Sequence, residues 1–197
     1  MPRASAAAAA QTALQVLDSA TDLFASRGFA EVSLDDVAQA SGVTRGAVYH
    51  HYRNKTGLFR AVADRLQTYV AEVVIEAAEE AGTDPTDQLK AGSHAFLDAI
   101  TAAPVVRILL IDAPSVIGWQ EWRRLDAENS AAHLREALRE VGVSEELLDA
   151  MTAQLSGAMN EAALWTAQHE NSPAAREQSH AALDRLLATV FRDNPAA

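Results

Sequence analysis

Apolar residues recur along this chain at the three-to-four-residue spacing of amphipathic helices rather than at the alternation of strands. Ala13, Val16, Leu17, Ala20, Leu23 and Phe24 line one side of a helix predicted from about Thr12 to Arg27 and stopped by Gly28. Ser33 follows as a cap, with Asp36 favouring the positive helix start. Leu34, Val37 and Ala38 give a short second helix its inward face, and it stops at Ser41-Gly42. Only Gly42, Val43 and the cap Thr44 separate it from a third helix, Arg45 to Tyr52, in which Val48 and Tyr52 lie four apart on the core side. A longer helix, from just after Arg53-Asn54-Lys55 to about Ala81, carries Leu58, Phe59, Val62, Leu66, Tyr69, Val70 and Val73. Further helices are expected at about 86–102, 104–111, 117–141, 144–169 and 173–192, broken at Ala103-Pro104, Asp112-Ala-Pro114, Gly142-Val-Ser144 and Asn171-Ser-Pro173. The pattern predicts an all-α chain of about nine helices: a disordered arm at 1–11, three helices at 12–54 and a helical body at 55–197.

Composition agrees. The chain is rich in Ala, only 6% of its 197 residues are aromatic, and there is no Cys, which excludes disulfides, thiolate metal sites and Cys nucleophiles. No apolar run approaches the length of a membrane span, and the Ala-rich start lacks the Leu/Val/Phe core of a signal peptide, so a cytoplasmic protein without membrane contact is expected. The histidines lack metal-site spacing and no catalytic constellation stands out; no metal, cofactor or enzymatic activity is expected.

The net charge of −11 is unevenly spread. Residues 1–60 hold six basic side chains (Arg3, Arg27, Arg45, Arg53, Lys55, Arg60) against five acidic ones, so nearly all the negative charge lies beyond residue 60. A polyanion would be repelled by the body and accepted only at the N-terminal end.

That end has the makings of a helix-turn-helix. The helix opened by Thr44 carries small Gly46 and Ala47, which let its backbone approach a major groove, with polar Arg45, Tyr49, His50 and His51 around them. Val37-Ala38, then Ala40-Ser-Gly-Val-Thr-Arg-Gly-Ala-Val-Tyr-His-His-Tyr52 and Lys55-Thr-Gly-Leu-Phe59, resemble the signature of TetR-family regulators across residues 12–60. The resemblance implies that the third helix enters the major groove, that Tyr49, His51 and Lys55 grip phosphates, and that Ser33 and Thr44 are phosphate-contacting caps. By the same resemblance Arg45, Gly46 and Ala47 lie nearest the base edges, with Arg45 the best reader because its fork suits guanine O6 and N7. Before the first helix, where members often carry basic residues, this chain has Gln11-Thr12.

For the body, the resemblance implies dimerisation and an inducer pocket. The last two helices carry apolar stripes, Leu147 to Ala162 and Ala182 to Phe191, and Ala153, Ser156, Gly157 and Ala163 permit close approach of another helix. A four-helix homodimer interface would set two recognition helices one DNA turn apart, about 34–36 Å, for a palindromic double-stranded operator. Polar or aromatic residues within otherwise apolar helices mark a pocket: His94, Phe96, Asp112, Trp119, Trp122, His133, Asn160 and Trp165, with few cations among them, which suits a neutral or cationic apolar inducer. The expected function is a dimeric repressor released by a small apolar ligand. The alternative is a helical ligand- or protein-binding dimer without DNA-binding activity.

Overall fold

The computed structural model describes residues 2–169, 172 and 174–192. It is all-α, with ten helices and no strand among the described residues. These are α1 (Pro2–Arg27), α2 (Leu34–Ser41), α3 (Arg45–Tyr52), α4 (Lys55–Glu80) and α5 (Pro85–Thr101). The rod α6 joins Ala103–Val106, a π-helical Arg107–Asp112 and Ala113–Val116, and α7 (Trp119–Glu128), α8 (Ser130–Glu140), α9 (Glu145–Gln168) and α10 (Ala175–Arg192) complete the body. No single helix is long and apolar enough to cross a membrane.

Three departures from the sequence pattern have physical causes. Residues 2–11, expected as a disordered arm, continue α1, because alanine is the strongest helix former and nothing in the run breaks the ladder. The break expected at Asp112-Ala-Pro114 is a widened turn inside α6: the Ala113 N–H reaches back to Ile108 O, and the π register accommodates Pro114, which has no N–H to give. The expected helix 117–141 divides at Asn129, whose side-chain amide donates to Leu125 O at 2.8 Å and competes with the backbone ladder. Of the break expected near 171–173, Asn171 and Pro173 lie outside the described residues, as does the side chain of Phe191.

One cluster of buried side chains runs from Val16, Ala20 and Phe24 of α1 through Leu58, Phe59 and Val62 of α4 to Leu97, Leu148 and Leu187. α4 supplies the continuity, packing its first half on α1 and its second on α5. The small residues expected to admit a partner helix divide: Ser156 and Ala163 are buried in the subunit's own core, whereas Ala153 and Gly157 are exposed.

α5 and α10 are joined by a polar clamp. Lys90 Nζ lies 3.2 Å from Asp184, which accepts from His94 Nε2 at 2.8 Å; His94 and His180 meet Nδ1 to Nδ1 at 3.2 Å, and His180 Nε2 and Arg176 both reach Asp98. Burial pushes both carboxyls up, but the hydrogen bonds from Arg176 and His180 to Asp98, and from His94 and Lys90 to Asp184, outweigh it and hold both below the ordinary aspartate value of 3.8. A depressed folded-state value means the stabilisation is complete above 3.8 and lost as pH falls through the lower folded values. Thermal melts followed by circular dichroism should therefore show the melting temperature dropping as pH is lowered below 3.8. The double variant Asp98→Asn/Asp184→Asn should start a few degrees lower and drop less steeply.

Candidate nucleic-acid interface and interior cavity

The N-terminal head is built on three phenylalanines. Phe59 of α4 meets Phe24 of α1 edge-on, centroids 5.2 Å apart, and meets Phe29 of the α1–α2 turn at the same distance. α2 opens on a closed capping box, in which the Ser33 hydroxyl oxygen accepts from Asp36 N–H while Asp36 accepts from Ser33 N–H at 2.8 Å. The Ser33 bonds hold the Asp36 carboxyl below the usual range. Gly42 ends α2 at φ 68°, a left-handed conformation that lets α3 start three residues later, at Arg45. α3 ends at Arg53, also left-handed at φ 66°, where Asn54 N–H donates to Tyr52 O at 2.8 Å in a tight γ-turn. A side chain on Gly57 would collide with the Tyr52 carbonyl, so the small residue in Lys55-Thr-Gly-Leu-Phe59 is what lets α4 start hard against the end of α3. Tyr52 anchors the helix at its other side, its hydroxyl donating to Ala13 O at 2.8 Å, and Val48 is fully buried.

Those anchors turn one face of α3 to solvent. Arg45, Gly46, Tyr49 and His50 are exposed, with Ala47 and His51 half-buried between them, and the two histidine rings meet edge-on at 5.6 Å. Thr44 accepts from Ala47 N–H at 3.2 Å, which leaves its hydroxyl proton available to a phosphate. Arg45 is held by Asp35 at 3.0 Å in an exposed ion pair, a contact worth at most about 1 kcal/mol and so readily exchanged for a base edge. Two of the expected phosphate contacts are engaged inside the fold. The Ser33 hydroxyl donates to Asp36 at 2.7 Å, so a phosphate there would face Asp35 and Asp36. The Lys55 ammonium donates to Phe29 O at 2.8 Å and Ala30 O at 3.3 Å, over the Phe29 ring at 4.2 Å.

The residues expected to form the inducer pocket scatter. Only Phe96 and His133 line the body's main cavity, a space of about 320 Å³ between α4, α5, α8 and α9. His94 belongs to the α5–α10 clamp. Trp165 is on the outer face of α9, stacked on His169, and Trp119 is 63% exposed against the buried Trp122. Asn160 is buried in α9 away from the cavity lining. Sequence reasoning passed over Ser93, Ser130 and Ser156, whose small hydroxyls on buried faces give no period-breaking signal, and the glutamates at the cavity rim, which read as ordinary solvated charge.

Asp112 has a different role from the expected one. Its carboxylate accepts the Phe29 N–H at 3.2 Å and lies 3.9 Å from Arg107, whose guanidinium packs against Gly28 where a Cβ would otherwise sit. The π-helical segment of α6 therefore clasps the α1–α2 turn of the head. π-turns occur often at functional positions because the extra residue re-aims side chains.

A three-helix head with an exposed recognition helix, set on a helical body holding a cavity, defines a helix-turn-helix transcriptional regulator. Residues 16–62 match the bacterial regulatory proteins of the tetR family and residues 86–190 the tetracyclin repressor-like C-terminal domain. The chain belongs to the TetR family, whose members are transcriptional regulators rather than enzymes. It is 33% identical over 90 residues to the HTH-type transcriptional regulator AcrR of Shigella flexneri, covering 46% of this chain and 42% of that one. It is 31% identical over 96 residues to the HTH-type transcriptional repressor BepR of Brucella suis, covering 49% and 46%. The chain thus spans less than half the length of these relatives. A TetR-family regulator from Pectobacterium atrosepticum superposes with a TM-score of 0.74 at 29% identity, over 93% of this chain and 96% of that one.

Replacing Asp112 by Ala leaves the half-buried Phe29 N–H without its acceptor, which should cost about 1–2 kcal/mol. Urea unfolding measures this as a lower midpoint at unchanged slope; an unchanged midpoint would mean that water replaces the carboxylate at no cost.

Proposed function

We propose that this regulator is a repressor that binds a palindromic operator as a homodimer and leaves it when a small apolar ligand enters the body. The reading rests above all on Tyr49. An aromatic side chain left 62% exposed on a short helix, beside exposed Arg45 and small Gly46, contributes nothing to the head's own packing and suits a partner surface. The fully buried Val48 beneath them keeps the face rigid. In this reading Arg45 reads a base, Gly46 and Ala47 admit the groove, Tyr49, His50, His51 and the Thr44 hydroxyl meet the backbone, and Ser33 and Lys55 hold the head's shape unless DNA displaces their internal partners.

Selection of operators from a random duplex pool by the purified protein should enrich a palindrome. Arg45→Ala should relax preference at one position per half-site, by about 1–3 kcal/mol, while Tyr49→Ala should weaken all sequences alike. A pool that returns no common sequence would sink the repressor reading.

The dimer is assigned to α9 and α10. Leu147 and Trp165, five turns apart on one face of α9, and Leu186 on α10 are apolar and exposed at 55%, 37% and 48%. Such a surface fits self-association about a two-fold axis. Leu186→Glu should convert the dimer to a helical monomer in sedimentation velocity and abolish operator binding at concentrations that saturate the wild type. A variant that remains dimeric would move the interface elsewhere.

A further inference from the structure

The cavity carries a ligand chemistry of its own. Its walls are apolar, with Val74 of α4, Leu89 and Phe96 of α5 and Met159 of α9 facing across it. Among the lining residues are three glutamates, Glu79, Glu136 and Glu140, and no Lys or Arg. Glu136 is paired with Arg139, whereas Glu79 and Glu140 have no cationic partner among the described residues. Behind the wall, Ser156 lies 3.4 Å from Asp126, a buried carboxylate that desolvation pushes up against the pull of Arg123. The negative potential at the cavity therefore comes from its rim, from Glu79 and Glu140, since Asp126 is offset by Arg123 and by its own burial.

A second observation is independent of charge. Ser93 and Ser130 line the cavity from α5 and α8, are 4% and 6% exposed, and have hydroxyl oxygens with no hydrogen-bond partner among the described residues. A buried hydroxyl left unpaired costs about 1–3 kcal/mol, so one on each of two helices lining the cavity calls for a polar partner there.

We propose that this cavity takes an apolar organic cation, a one- or two-ring body with a single ammonium group. The rings lie against Phe96 and Met159, and the ammonium donates to the hydroxyl oxygens of Ser93 and Ser130 under the glutamate rim. An anion of the same shape meets the carboxylates of Glu79 and Glu140 and no lining Lys or Arg. A neutral alcohol satisfies the hydroxyls but gains nothing from the rim. The volume, at the low end of small-molecule pockets, limits the body to about this size. The inference names the ligand class for the ligand-responsive reading above and rests on it for biological meaning, but binding itself can be measured without DNA.

The test is calorimetric titration of the DNA-free full chain at pH 7.5 with a matched series: 1-naphthylmethylamine, 1-naphthylmethanol and 1-naphthoate. The amine should bind at least about tenfold more tightly than the alcohol, and the carboxylate should give no binding heat. Glu79→Gln/Glu140→Gln should bring the amine down toward the alcohol and leave the alcohol unchanged. Ser93→Ala/Ser130→Ala should weaken both, with circular dichroism confirming that each variant is folded. Carboxylate binding as tight as the amine's, no heat from any of the three, or amine binding untouched by both variants would each overturn the proposal. A separate titration of the selected operator complex with the amine tests the regulatory reading alone: binding without DNA release would sink ligand-controlled repression and leave the ligand class standing.

Discussion

The position of the recognition helix depends on how Phe59 is buried. It is fully enclosed, and its two edge-on contacts tie α1, the α1–α2 turn and α4 into one body. Burying three such rings contributes several kcal/mol beyond what any polar contact in the head supplies. Because α3 is held to α1 by Tyr52 and to α4 by the tight turn at Arg53 and Gly57, its orientation follows from that aromatic centre. The left-handed conformation at Arg53, unusual for a residue with a side chain, persists because the structure on both sides over-determines it.

Charge in the head is mostly spent on the fold. Lys55 closes over backbone carbonyls and the Phe29 ring, Arg27 and Arg45 lean on the α2 carboxylates, and Arg60 pairs with Glu121 of α7. Little positive charge is left free to attract phosphate at long range, and the acidic body opposes it. A head of this kind offers a phosphate backbone few placed contacts rather than a basic surface.

The sequence carried most of this architecture, and for identifiable reasons. Helices with a clear apolar stripe and a Gly or capping residue at the ends, such as α2 at Ser33 and Gly42, were legible to within a residue. What escaped depended on competition between local options: Asn129 bonding back to Leu125, and Pro114 absorbed by a π-turn rather than ending a helix. The exposed face of α3 was readable because polar residues there interrupt an otherwise apolar period. The cavity was not, since an absence of atoms leaves no pattern in one dimension. Aromatics that looked like pocket walls, Trp119 and Trp165, turned out to be exposed, and Asp112 proved to grip the head across 83 positions of sequence.

Cavity and head are joined through two routes of unequal stiffness. α4 is 26 residues long, and about 30 Å separates Phe59 in the head from Ala78 at the cavity, so a tilt at one end displaces the other by a similar amount. Near the cavity α4 is pinned to α5, where Gly92 lets Val74 approach so closely that an added methyl would press on it. At the head it is fixed by the phenylalanine centre. The second route, α6, holds the same head through packing on α1, with Val105, Ile108 and Leu109 in the shared buried cluster, through a 3.2 Å hydrogen bond to Phe29 and through Arg107 on Gly28. Of these contacts the hydrogen bond is the weakest, worth about 1 kcal/mol against several for the buried apolar faces, so differential movement of α4 and α6 would break it before either packed face.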